Sequence, residues 1–172
     1  MTQEDKELLL RDLCARLPYR VKCTWFIGCI DTLNRVDYIG ELIDICKVIR
    51  TDGYTYWDCY FHNSEDEDDY GYSEIPIEIV KPYLRPMSSM TKEEKEEILN
   101  LIFDKEAKYF YIDEEGCIDG KTSELMKEEL NYPAFCPINI VVYTDWLNAH
   151  HFDFHRLIEK GIALEASEDM YI

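Results

Sequence analysis

The densest run of ionisable side chains is Glu65-Asp66-Glu67-Asp68-Asp69, five carboxylates in a row followed by Tyr70, Gly71 and Tyr72. Carboxylates beside a glycine suggest a calcium loop, and registering the run on Asp66 puts Asp68 at the third position and Gly71 at the sixth. The fifth position is then Tyr70 and the twelfth Ile77, where such a loop needs an oxygen ligand and a bidentate glutamate, so the motif fails. One reading of the run is a solvated hairpin tip, because like charges in sequence repel and seek water. The other is an electrostatic lure. Charge this dense imitates a nucleic-acid backbone, with about one charge per 1.7 Å of duplex. It would draw in a basic protein and speed the encounter, with Tyr70 and Tyr72 as contact aromatics. Looser cation binding and a disordered insertion remain as alternatives.

A second cluster is His150-His151-Phe152-Asp153-Phe154-His155. If the segment is helical throughout, His151 and His155 lie four apart on one face, a spacing that zinc hydrolases use. The glutamate of H-E-x-x-H is missing, and a third ligand must come from Cys59, His62 or a distant acid. Asp153 also suits the N-cap of a last helix, which would break that face. The metal reading therefore keeps His151 and His155 only as weak candidates, and no cofactor is expected.

Gly116-Cys117-Ile118-Asp119-Gly120-Lys121-Thr122 ends in GKT, but a P-loop needs glycine at position 115, which is Glu115. Glu114, Glu115 and Asp119 would repel phosphate besides. Seven cysteines, with no C-x-x-C among them, give neither a zinc ribbon nor a paired disulfide framework. They read as free, mostly buried thiols of a reducing compartment. No catalytic set is complete.

These residues sit on 172 positions, one domain's worth of chain or two small lobes, 1–85 and 91–172. Apolar residues make up 47% and aromatics 13%, enough for a core. Acids outnumber bases 36 to 18, which argues against a non-specific nucleic-acid binder and against docking on anionic lipid. Residues 1–50 are neutral, with eight acids and eight bases, and 51–80 carry nine acids without a lysine or arginine. No apolar run approaches the length of a membrane span. MTQEDKELLLRDL lacks the basic and apolar regions of a signal peptide, so a cytoplasmic location is expected.

The pattern predicts an α+β chain: a small antiparallel sheet or barrel-like N-terminal half with flanking capped helices. Thr2 with Asp5 opens a helix that carries Leu9, Leu10, Leu13, Cys14 and Leu17 and stops at Pro18. Val21, Cys23 and Trp25 then alternate with Lys22 and Thr24 in a half-buried strand to Gly28. Positions 29–49 fit either a hairpin turned at 31–35 or a helix, and strands are favoured. Positions 54–61 are dense in β-formers, 63–71 form a polar loop, and 74–83 resume as a strand near an edge because of Pro76. Thr91 with Glu94 caps a helix burying Ile98, Leu99, Leu101 and Ile102. A hairpin follows around Glu115-Gly116, then a short helix capped by Thr122 or Ser123. INIVVY is expected as a buried strand. A last helix is expected from Asp153, ended by Gly161.

Three segments, MTQEDKELLLRDLCARLPYRVKC, KPYLRPMSSMTKEE and DWLNAHHFDFHRLIEKGIALEA, cover about a third of the chain. They resemble a family of small proteins without assigned activity, encoded by phages, prophages and mobile elements of gut Bacteroidales. In that family the closing segment runs His-His-Phe-Asp-Tyr-Arg-Gly, where this chain has Phe154, His155 and Arg156; a replaceable His155 weakens the metal reading. The resemblance implies a bacterial cytosol and a setting in which small acidic proteins act by binding, for instance by blocking a host defence protein. The expectation is a non-catalytic interaction protein that binds a basic protein surface. That surface would belong to a nucleic-acid-binding protein, with this chain as its nucleic-acid mimic or inhibitor. Its contacts would be Glu65, Asp66, Glu67, Asp68, Asp69, Tyr70 and Tyr72. The alternatives are a metal-dependent enzyme using His151 and His155, and a phage structural protein.

Overall fold

A computed structural model describes residues 1–28, 35–49, 51, 53–62, 74–120 and 140–171. The chain is α+β and divides into two compact units, Met1–Arg85 with His155–Ile172, and Pro86–Phe154. The closing segment returns to the first unit.

In the first unit, α1 (Gln3–Arg16) starts from the expected capping box. Thr2 Oγ1 accepts from the Asp5 amide at 3.1 Å, and the Asp5 carboxylate accepts from the Thr2 amide at 3.3 Å. Pro18 falls in the 3-10 turn Leu17–Tyr19 that ends the helix. The chain then forms β1 (Lys22–Gly28), β2 (Arg35–Ile49) and β3 (Thr55–His62). β1 and β2 are antiparallel, from Gly28 opposite Arg35 to Lys22 opposite Glu41, so the favoured strand reading of 35–49 is the correct one. Of the expected turn at 31–35, all but Arg35, which opens β2, lies outside the described residues.

The strand expected over 74–83 is broken at Pro76. β4 (Ile75–Pro76) pairs with β3, a 3-10 turn occupies Ile77–Ile79, and β5 (Lys81–Leu84) crosses to pair with β1. Proline has no N–H for a ladder, so the segment changes partners there. Near the C-terminus the chain adds β8 (Leu164–Glu165), parallel to β5, completing a six-stranded sheet in the order β4-β3-β2-β1-β5-β8. The sheet is therefore mixed, and it is open rather than barrel-like, with two-residue strands at its edges.

One face of the sheet packs on α1. Leu9 and Leu13 meet Val21, Cys23, Trp25, Leu42 and Phe61 in a single apolar core, joined by Leu157, Ile162 and Ala163 from the closing segment. Trp25 stacks on Phe61 at 4.2 Å and on Tyr38 at 5.9 Å. Gly40 makes room for this: a Cβ there would meet the His62 carbonyl at 2.9 Å and Trp25 at 3.0 Å.

In the second unit, α2 (Lys92–Phe103) has the expected box. The Glu94 carboxylate accepts from the Thr91 amide at 2.8 Å, and Thr91 Oγ1 from the Glu94 amide at 3.2 Å. It buries Ile98, Leu99 and Phe103, whereas Leu101 faces solvent, one step off the apolar stripe. β6 (Phe110–Ile112) and β7 (Ile118–Gly120) form the expected hairpin, with Gly116 at φ +84° in the turn. The helix expected at 122–130 lies outside the described residues.

Two expectations fail at the C-terminal end. The described part of INIVVY is not a strand: α3 (Ile140–Ala149) runs through its last four residues. The β-branched run misleads, because helix propensity costs only a few tenths of a kcal/mol per residue. Tyr143, Trp146 and Leu147, spaced three and four apart, decide the outcome by burying one face. The helix expected from Asp153 is also absent, and the stretch forms successive turns. His151 and Arg156 take positive φ, +59° and +58°, which interrupts helical geometry on both sides of Asp153. Gly161, also at positive φ, does end the last of these turns.

Candidate interaction face

The alternation that buries Cys23 and Trp25 sends Lys22, Thr24 and Phe26 to the opposite face of β1. Directly across on β2 stand Glu41, Ile39 and Asp37, and across on β5 Lys81 faces Thr24. This is the sheet face away from α1. It leaves large apolar surface exposed: Phe26 is 38% and Ile39 50% accessible. Asp37 and Asp44 are exposed on the same strand.

A groove of about 380 Å³ runs over this face. β1 and β2 supply Phe26, Asp37 and Ile39, and the far side is formed by Lys81 and Tyr83 of β5 with Leu164 of β8. Glu78 and Ile79, from the turn that links β4 and β5, also line it, as do Thr24 and Trp25 of β1. Glu78 is ion-paired with Lys6 of α1, which ties that turn to the helix. The groove thus joins an apolar floor to carboxylates. Sequence reading of the β1 alternation stopped at Trp25; carrying the same phase one residue further would have placed Phe26 outward.

The opposite side of the unit holds a buried charge cluster that sequence reading also missed. Asp12 and Arg16 of α1 are both fully buried. The Arg16 guanidinium donates to the Asp12 carboxylate from Nε at 2.7 Å and from Nη2 at 2.9 Å. His155 Nδ1 lies 3.1 Å from Oδ1 of that carboxylate, the oxygen that also accepts from Nη2. Burial opposes charge on Asp12, but the hydrogen bonds from His155 and Arg16 outweigh it, and its carboxyl stays below the ordinary value. Because an ionised carboxylate only accepts, Nδ1 of His155 carries the proton. The signal was present in the sequence, as opposite charges at i and i+4 on the helix face of Leu9 and Leu13.

His155 accordingly serves this cluster in the first unit, while His151 is a buried residue of the second unit. They do not share a helix face, since the segment between them is not helical. Among the described residues, no group of three His, Cys, Asp or Glu side chains is placed to hold a metal ion. The proposed contacts Glu65, Asp66, Glu67, Asp68, Asp69, Tyr70 and Tyr72 lie outside the described residues.

The five described thiols are free, and fewer are buried than expected: Cys23 and Cys59 are buried, Cys46 is intermediate, and Cys14 and Cys117 are exposed. Burial pushes the Cys59 thiol up to about 12 and raises Cys23 well above its ordinary value, which suits inert core thiols. No helix of the described residues is long and apolar enough to cross a membrane. Comparison with protein-family models, curated proteins and solved structures gave no match to the chain.

Proposed function

We propose that this chain is a non-catalytic interaction protein that binds a basic protein surface of the kind nucleic-acid-binding proteins present. The observation that carries the proposal is the open sheet face, where exposed Phe26 and Ile39 lie among Asp37, Glu41 and Asp44. Exposed apolar side chains flanked by like charges fit a surface that is covered in a complex. The whole chain supports a basic partner: the first unit holds 21 acids against 12 bases and the second 15 against 6, so each carries −9. Opposite charge steers encounter, and like charge excludes nucleic acid itself. The acidic run 65–69 contributes five of the chain's 36 carboxylates.

The test is affinity capture from host extract at low and high salt, followed by kinetics with the purified partner. A basic partner whose association rate falls steeply with salt is expected, and neutralising Glu65–Asp69 together should slow association. If the partner binds nucleic acid, this chain should displace it. An acidic partner, or a rate indifferent to salt, would overturn the proposal.

A further inference from the structure

We infer that the groove on the open sheet face receives a long cationic side chain, arginine above lysine, carried by the basic partner. This rests on the proposed basic partner and names the chemistry by which it is read. Phe26 and Asp37 stand directly opposite each other in the β1–β2 register, so an aromatic ring and a carboxylate are neighbours on one face. Such cross-strand pairs place their Cβ atoms about 4.5–5.5 Å apart. Ile39 lies on the same face two residues along from Asp37, and Ile79 with Glu78 closes the groove beyond. A receptor for arginine needs these parts. The apolar floor takes the aliphatic stem, the ring face takes the planar cation, and the carboxylate takes its forked donors.

Other occupants fit less well. Nucleic acid and anionic lipid meet carboxylates. A second copy brings another net −18, so like charge opposes self-pairing. Lys81, opposite Thr24 on the neighbouring strand, gives the groove a cation of its own. It should compete with an incoming one.

This competition makes the inference testable with changes of opposite sign. The probes are capped tri-arginine and tri-lysine peptides, titrated into the full ¹⁵N-labelled chain at low ionic strength and followed by amide shifts. Tri-arginine is expected to move the amides of Thr24–Phe26 and Asp37–Ile39 and to bind several-fold more tightly than tri-lysine. Asp37→Asn should weaken tri-arginine about tenfold, the scale of one charge-assisted hydrogen bond. Lys81→Gln should strengthen both peptides, and Phe26→Leu should erase the preference for arginine while leaving tri-lysine unchanged. If the peptides bind but the shifts lie elsewhere and neither Asp37→Asn nor Lys81→Gln alters affinity, the groove is not the site, although a basic partner still stands. Equal affinity for the two peptides overturns the arginine assignment. If neither peptide binds while the host partner does so in a salt-dependent way, the groove inference fails alone; if that binding fails too, both readings fall.

Discussion

Asp12 and Arg16 lie one helical turn apart on α1, wholly buried, with two hydrogen bonds of 2.7 and 2.9 Å between guanidinium and carboxylate. His155 reaches the same carboxylate from 143 residues further along the chain. A buried ion pair is a weak source of net stability, because desolvation of both charges offsets their attraction. Its geometry does fix where the closing segment meets α1.

Breaking that pair from one side should therefore be much worse than removing it whole. Asp12→Asn or Arg16→Met alone is expected to cost about 3–5 kcal/mol, because an uncompensated charge stays buried. The double change Asp12→Leu with Arg16→Met should recover most of that loss. Urea unfolding of the three variants measures it, and a double variant as unstable as the singles would contradict it.

The pH dependence follows with a definite sign. The folded carboxyl of Asp12 lies below its ordinary value of 3.8, since the hydrogen bonds from His155 and Arg16 outweigh burial. The folded state thus holds this proton less tightly than the unfolded chain does. Its contribution is complete above the unfolded value, about 3.9, and is lost as pH falls through the folded one. Unfolding free energy should drop below about pH 4, and the double variant should lack that part of the slope.

Gly40→Ala should disturb the aromatic stack. The added Cβ would meet the His62 carbonyl, which is backbone and cannot swing aside, and also Trp25. A cost of about 1–3 kcal/mol is expected from overpacking, with a change in tryptophan emission as the ring shifts against Phe61. Native-like emission at unchanged stability would show that the strand yields instead.

Tyr171→Phe should loosen the closing segment. The hydroxyl of Tyr171 donates to the Tyr83 carbonyl at 2.7 Å and accepts from the Lys22 amide at 3.1 Å, bridging β5 and β1. Its loss leaves two backbone groups to find water, for about 1–3 kcal/mol. Hydrogen exchange at Lys22 and along β8 should quicken while α2 and α3 remain protected.

Local chemistry made much of this fold legible. The two capping boxes, the outward and inward phases of β1 and the hairpin at Gly116 follow from neighbouring residues, and each forms where expected. What escaped depends on distant partners. Ile140 and Val141 look like strand residues until Tyr143, Trp146 and Leu147 find a core to enter. Asp153 resembles a cap, yet the left-handed residues on either side of it leave no helix to cap. The groove residues were hidden for the same reason: Phe26, Ile39 and Glu78 are ordinary one at a time and form a surface only through strand register. Asp12 and Arg16 stand at a recognisable spacing, but the His155 that completes their cluster is 143 residues away, and local pattern offers it only as a weak metal candidate.

The first unit is written in two pieces, with Pro86–Phe154 inserted between them. During synthesis β5 emerges long before β8, its parallel neighbour, and before Tyr171 can hold the Tyr83 carbonyl. At roughly 5–20 residues per second that interval lasts several seconds or more. Throughout it the nascent sheet shows a bare, unpaired edge at β5, while the inserted unit already has every residue it needs. The order of emergence thus favours the inserted unit finishing first, and it leaves the sheet open to edge-to-edge association until the last strand arrives.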